Sequence, residues 1–126
     1  MVALLGTDVV RTQTSLRSPG PGFGRQRLHA DDVPKVASGP TTVATAIVPL
    51  INVDERNGAT VVLPGSRDRP DLQRHSGALE SHPDEVVLSG PAGCAFVFSG
   101  HLLHAGGLNR AAQPRPVLQI LWRRTS

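Results

Sequence analysis

The chain has no tyrosine, a single tryptophan, three phenylalanines, one methionine and one cysteine. So few aromatics argue against a nucleic-acid binder, which needs a basic stripe interleaved with rings that stack on bases. All but one of the 13 basic residues are arginine, Lys35 being the exception, and they are scattered; 67/69 and 123/124 are the densest pairs. A formal charge of +3 spread this way fits a solvated surface and anionic small-molecule ligands better. The lone Cys94 excludes an internal disulfide, suits a small buried thiol within "GCAFVF", and makes a reducing cytoplasm the simplest setting. No apolar run approaches the ~18 residues of a membrane helix, and "MVALLG" lacks the charged leader of a signal segment, so a soluble protein is expected.

What the chain does hold is 13 glycines, 11 prolines and short runs rich in valine and threonine. That balance predicts many short strands joined by turns, hence an all-β class, and 126 residues suffice for one domain with a real core. From Asp8 onward the first strand alternates, with Val9, Arg11, Gln13 and Ser15 on one side and Val10, Thr12, Thr14 and Leu16 on the other, until "RSPGPGFG" breaks it. Residues 26–29 read as a short extended piece running into the acidic turn "ADDVP", with loop over 35–40. A strand is expected over 41–53, its Pro49 suggesting an edge position or a bulge. Asn57-Gly58 reads as a hairpin turn, and "ATVVLPGS" as the returning strand, stopped by Pro64 and Gly65. Residues 67–84 read as a long polar loop with a helical turn near 71–74; its length suggests a lid over a functional site, and its His75 and His82 read as solvated. Beyond it come a strand in "EVVL", a turn at 89–93, a strand through Phe98, and a last strand over 115–124. Val97 and Leu121 are expected to line the interior. There is no internal repeat and no long helix.

Among five histidines, His29 and Asp31 stand at i and i+2, which on an extended segment puts both side chains on one face, able to grip one ion together. Two ligands make a weak site. A third from a remote strand closes one face of an octahedron and leaves the opposite positions open, the arrangement of two histidines and a carboxylate in non-haem iron(II) oxygenases. His104 is the candidate third ligand; Asp32 on a strand faces away from His29 and is expected to be exposed. Arg115, at the start of the last strand, has the fork-shaped guanidinium that could hold a carboxylate deep in a barrel.

The segments "LLGTDVV", "PGPGFGRQRLHADD", "NGATVVLPGSR" and "GCAFVFSGHLLHAGGLNRAAQPRPVLQI" resemble, in order, the signature blocks of the phytanoyl-CoA dioxygenase family of iron(II)- and 2-oxoglutarate-dependent oxygenases. The resemblance implies a double-stranded β-helix, a jelly-roll barrel with iron at its mouth. It makes His29, Asp31 and His104 the iron ligands and Arg115 the partner of the distal carboxylate of 2-oxoglutarate. Gln26 and Thr60 match positions that hydrogen-bond this cosubstrate; from the residues alone they are equally a strand-end glutamine and a β-branched residue after a turn. His101, three residues before His104, is left as a pocket or supporting residue, and Asn109 is expected to brace the turn between the last two strands.

The resemblance further implies oxidation of a small organic molecule by dioxygen, with 2-oxoglutarate leaving as succinate and carbon dioxide. Related halogenases carry a small residue in place of the acid, so Asp31 favours hydroxylation or another oxidation. Arg67 stands where the family has histidine after "PGS". The chain also begins almost at the barrel, so it is expected to be a single domain over 1–126 lacking the family's usual N-terminal region. An uncovered apolar face on so short a barrel would favour pairing of two copies. Two other classes compete: a jelly-roll binding module without turnover, and a cupin-like metal isomerase or hydrolase on the same barrel.

Overall fold

A computed structural model describes residues 5–32 and 39–125. Residues 35–38 of the expected loop lie outside the described part. Among the described residues the elements in chain order are β1 (Val9–Arg17), β2 (Val43–Pro49), β3 (Val61–Val62), α1 (Pro70–Gln73), β4 (Val86–Val87), β5 (Phe96–Ser99), β6 (His104–Ala105) and β7 (Val117–Arg124). They form two antiparallel sheets, β1-β7-β2-β5 and β4-β3-β6. The fold is the expected double-stranded β-helix, nearly all sheet.

Register decides which residues meet inside. On the four-stranded sheet Thr45 lies opposite both Phe98 and Leu121, and Ile47 opposite both Phe96 and Gln119. Partners in register share a face, and Phe98 touches His104 of the other sheet, ring centroids 4.9 Å apart, so this face is the interior. Leu121 is buried there as expected. Val97 is not: it pairs with Ala46 on the outer face and is 51% exposed. In "FVF" alternation is plain, and the phenylalanines, not the valine, take the inside.

Two further expectations are corrected by topology. Asn57-Gly58 does form a tight turn, with Asp54 accepting from the backbone of Arg56 and Asn57 and Gly58 at φ +84°, but β2 and β3 do not pair. The turn carries the chain from one sheet to the other, so it is a corner and not a hairpin. Pro49 marks neither an edge nor a bulge; it ends β2, an inner strand of its sheet, and pairs with Val117. Beyond it Val53 bridges Gly90 instead of extending β2. Cys94 is half-buried rather than buried.

The corner at Gly58 is a close crossing of two backbones. A Cβ there would lie 2.5 Å from the Gly107 carbonyl oxygen, and Gly107 N–H donates to the Gly58 carbonyl at 3.1 Å. Gly58→Ala combines a left-handed φ with a backbone clash, and is expected to lower the unfolding free energy by about 2–4 kcal/mol in denaturant melts.

The polar segment after β3 is not a lid over the interior. Leu72 of α1 packs with Leu63 and Leu103, while Leu28, Val61 and Ala105 pack with Ala78 and Val87. These residues alternate with His104 and so lie on the outer face of the three-stranded sheet. Backbone bonds between Leu28 and both Gly77 and Ala78 hold the segment there. His75 and His82 meet edge-on with centroids 4.7 Å apart, and His82 Nδ1 accepts the Asp84 N–H, so neither is simply solvated.

Candidate metal centre

His29 and His104 face each other across an isolated antiparallel bridge, each N–H donating to the other's carbonyl at 3.0 and 2.9 Å. That pairing puts both imidazoles on one face, with centroids 4.5 Å apart. Asp31, two residues on, joins the same face. Among the described residues these three form the one group of histidine, cysteine or acidic residues positioned to hold an ion, with ligand atoms within 4.8 Å of one another. Ligand atoms in adjacent positions around a first-row divalent ion, about 2.0–2.2 Å from it, sit about 3 Å apart. The separations here, 3.4 Å from His104 Nε2 to Asp31 Oδ1 and 4.0 Å from His29 Nε2, need only a small contraction.

The hydrogen bonds around the triad prepare it. His29 Nδ1 lies 2.8 Å from the Arg27 carbonyl and His104 Nδ1 2.9 Å from that of Leu102. Carbonyls only accept, so each Nδ1 donates to the backbone and each Nε2 is the nitrogen turned to the centre. The Thr45 hydroxyl donates to Asp31 Oδ2, leaving Oδ1 to face the imidazoles. Burial pushes the Asp31 carboxyl upward, but the adjacent His104, the Thr45 hydroxyl and His29 outweigh it and hold the group below the usual carboxylate range. His104 Nε2 is buried and has no hydrogen-bond partner. Two imidazole nitrogens and a carboxylate oxygen, one nitrogen without a hydrogen-bond partner, fit a divalent cation.

Arg115 is 1% exposed. Its Nε donates to the Asn57 carbonyl at 2.8 Å, while Nη2 is buried without a partner. It lines one cavity with His104, Gln26, Thr60, Gly106 and Arg17, and no carboxylate among the described residues lines that cavity. Burial, and then the charge of Arg17, lower the Arg115 pKa to about 10, so it stays cationic at neutral pH. An unpaired buried guanidinium beside a second cation fits an anionic ligand. Gln26 Oε1 accepts the Gly106 N–H at 2.8 Å, and Thr60 is buried in the cavity wall.

Asn109 braces its turn as expected, its amide donating to the Pro19 and Gln113 carbonyls and its oxygen accepting the Ala111 N–H. Asp32, expected to be exposed, is half-buried and pairs with Arg123 at 3.1 Å. Arg67 binds Thr41 Oγ1 and the Gly39 carbonyl. Two residues escaped the sequence reading. Arg17 continues the inner face of Gln13 and Ser15, which pair with Leu121 and Gln119; a bulge between Arg11 and Gln13 turns Val9 and Arg11 to the other face, so the expected side of four is split. Thr45 left no signal, being one of several threonines in a β-rich run. Thr45→Val is expected to weaken metal binding about 10-fold, with Thr45→Ser close to the parent, in anaerobic metal titrations.

Two facing sheets carrying a His/Asp/His triad on their inner side define a double-stranded β-helix with a candidate metal centre. The chain belongs to the phytanoyl-CoA dioxygenase (PhyH) family, whose model matches residues 3–117. It is 29% identical over 112 residues to dioxygenase aneA of Aspergillus aculeatus, covering 84% of this chain and 37% of that protein. AviO1 from Streptomyces viridochromogenes superposes with a TM-score of 0.77 at 23% identity, covering 99% of this chain and 55% of that one. EctD from S. alaskensis, solved with bound Fe, gives 0.74 at 21%, covering 97% and 47%. These likenesses bear out the fold, and the chain spans about a third to a half of these relatives' lengths. No helix among the described residues is long and apolar enough to cross a membrane.

Proposed function

We propose that the chain is the barrel of an iron(II)- and 2-oxoglutarate-dependent dioxygenase acting on a small organic molecule. One observation carries this reading: among the described residues, the two buried side-chain atoms without a hydrogen-bond partner, His104 Nε2 and Arg115 Nη2, belong to residues lining one cavity. A cation is the partner the first lacks, and an anion the partner the second lacks.

His29, Asp31 and His104 would hold iron(II), and Arg115 the distal carboxylate of 2-oxoglutarate. Together the two groups supply oxidation of a C–H bond by dioxygen, with release of succinate and carbon dioxide. The residues divide the remaining work. Nδ1–H bonds to backbone carbonyls orient both imidazoles with Nε2 toward the metal. Thr45 holds Asp31 in a single orientation. Arg115 fixes one end of the dicarboxylate in its fork, Arg17 adds a second positive charge, and Gln26 and Thr60 supply polar contacts along its length. Ile47 and Val117 in the same wall keep water out. His29, whose side chain is 38% exposed against 3% for His104, marks the side from which substrate approaches.

The same fold occurs in SnoN, described as an alpha-ketoglutarate-dependent epimerase, at a TM-score of 0.73 and 20% identity. The test therefore measures succinate, the product shared by hydroxylation and other oxidative outcomes. With iron(II), ascorbate, dioxygen and 2-oxoglutarate, the protein is expected to release succinate slowly without substrate and faster with a suitable one. A binding module would take up 2-oxoglutarate without forming succinate. A metal isomerase or hydrolase would not consume it.

A further inference from the structure

His101 is 1% exposed, and both of its ring nitrogens are engaged. Nδ1 lies 2.8 Å from the Asp32 carbonyl oxygen; Nε2 lies 3.2 Å from the Thr42 amide nitrogen and 3.1 Å from its hydroxyl. A carbonyl only accepts and a peptide N–H only donates. One assignment satisfies both: Nδ1 protonated, Nε2 bare, the ring neutral. The backbone of His101 is tied as well, its N–H to Ser99 Oγ at 3.2 Å and its carbonyl to Gln73 Nε2 at 3.1 Å.

These bonds matter for Asp31. His29 and His104 are set against each other by reciprocal backbone bonds, but Asp31 lies two residues past that bridge, where pairing has ended. Its own segment is gripped by a turn instead. The Gly100 carbonyl accepts from Asp31 N at 2.7 Å and Asp32 N at 3.3 Å, and His101, the next residue, holds the Asp32 carbonyl. The same turn leads into His104. Through Thr42 the imidazole also joins the start of β2, the strand whose Thr45 donates to Asp31 Oδ2.

We propose that His101 is a positioning residue of the metal centre: a neutral strut between the Asp32 carbonyl and the Thr42 amide that sets the Asp31 carboxylate against the two imidazoles, and with it the metal affinity. The proposal rests on the reading of His29, Asp31 and His104 as the ligands. It assigns the Nδ1 bond to the metal site and the Nε2 bond to the strand behind it, and amide side chains separate the two. Asparagine places its NH2 where Nδ1 stands, keeping the donor to Asp32; glutamine places its oxygen where Nε2 stands, keeping the acceptor for Thr42.

The experiment is an anaerobic titration with cobalt(II), a coloured stand-in for iron(II). It uses the parent and the His101→Asn, His101→Gln and His101→Leu proteins, with the Tm of each metal-free protein recorded alongside. His101→Asn is expected to bind within about threefold of the parent, and His101→Gln and His101→Leu about 10-fold or more weaker. Tm is expected to fall for both amide variants, and at least as far for Asn, which forfeits the two Thr42 contacts of Nε2, as for Gln, which forfeits the single contact to the Asp32 carbonyl. Binding by His101→Gln as tight as by His101→Asn overturns the proposal, as does affinity that tracks Tm across the set or failure of both amide variants to fold. Should only His101→Leu fail to fold, the Asn and Gln pair decides. A parent that takes up no cobalt(II) or iron(II) would instead remove the ligand assignment.

Discussion

Arg115→Leu is expected to weaken 2-oxoglutarate binding by about 100-fold or more while raising the Tm of the ligand-free protein. The two effects have one origin. In the free protein the guanidinium is buried, makes one bond to the Asn57 carbonyl, leaves Nη2 unpaired and faces the charge of Arg17. A buried cation without a counterion costs stability, and an apolar replacement removes that cost. A carboxylate gripped by a planar fork gains two charge-assisted bonds, each worth about 1.5–3 kcal/mol, and the variant forfeits both. Calorimetric titration with 2-oxoglutarate and a thermal melt of the same preparation check the pair. A structural arginine would give the opposite melt: loss of stability with no selective loss of dicarboxylate binding.

His104→Ala is expected to abolish metal binding at micromolar protein, a loss beyond the ~100-fold upper range for supporting residues of a metal site. His104 is the most buried of the three proposed ligands, its Nε2 has no hydrogen-bond partner, and its Nδ1 is committed to the Leu102 carbonyl. Its removal leaves His29 and Asp31, which cannot close an octahedral face. Backbone pairing with His29 survives in the variant, since it runs through main-chain atoms, so the fold is retained. Equilibrium dialysis against iron(II) or cobalt(II), with circular dichroism on the same samples, separates loss of the ligand from loss of the fold.

The parts of this centre differ in how openly the chain displays them. His29 and Asp31 are readable from spacing alone, because period-two alternation puts i and i+2 on one face. His104 carries no local mark and emerges through the resemblance of "HLLHAGGLN" to the family block; the bridge between residues 29 and 104 is what brings it beside His29. Strand positions were legible from valine and threonine runs, whereas partners were not. Asn57-Gly58 looks like a hairpin because the turn chemistry is the same whether the next strand returns to its neighbour or crosses to the facing sheet. The segment after β3 looks like a lid because its polarity hides Leu72, whose anchoring on the outer face depends on Leu63, just after β3, and on the distant Leu103, just before β6. Thr45 and His101 act through contacts set by register and by a turn, and neither is encoded in local pattern.

The most direct test of the centre is an anaerobic titration of the protein with iron(II) in the presence of 2-oxoglutarate, followed by visible absorption. A charge-transfer band of the iron chelate that saturates at one metal per chain is predicted, absent in His104→Ala and requiring far more 2-oxoglutarate in Arg115→Leu. A flat spectrum for the parent, or an equal band in all three proteins, would contradict the assignment of His29, Asp31, His104 and Arg115 to one site.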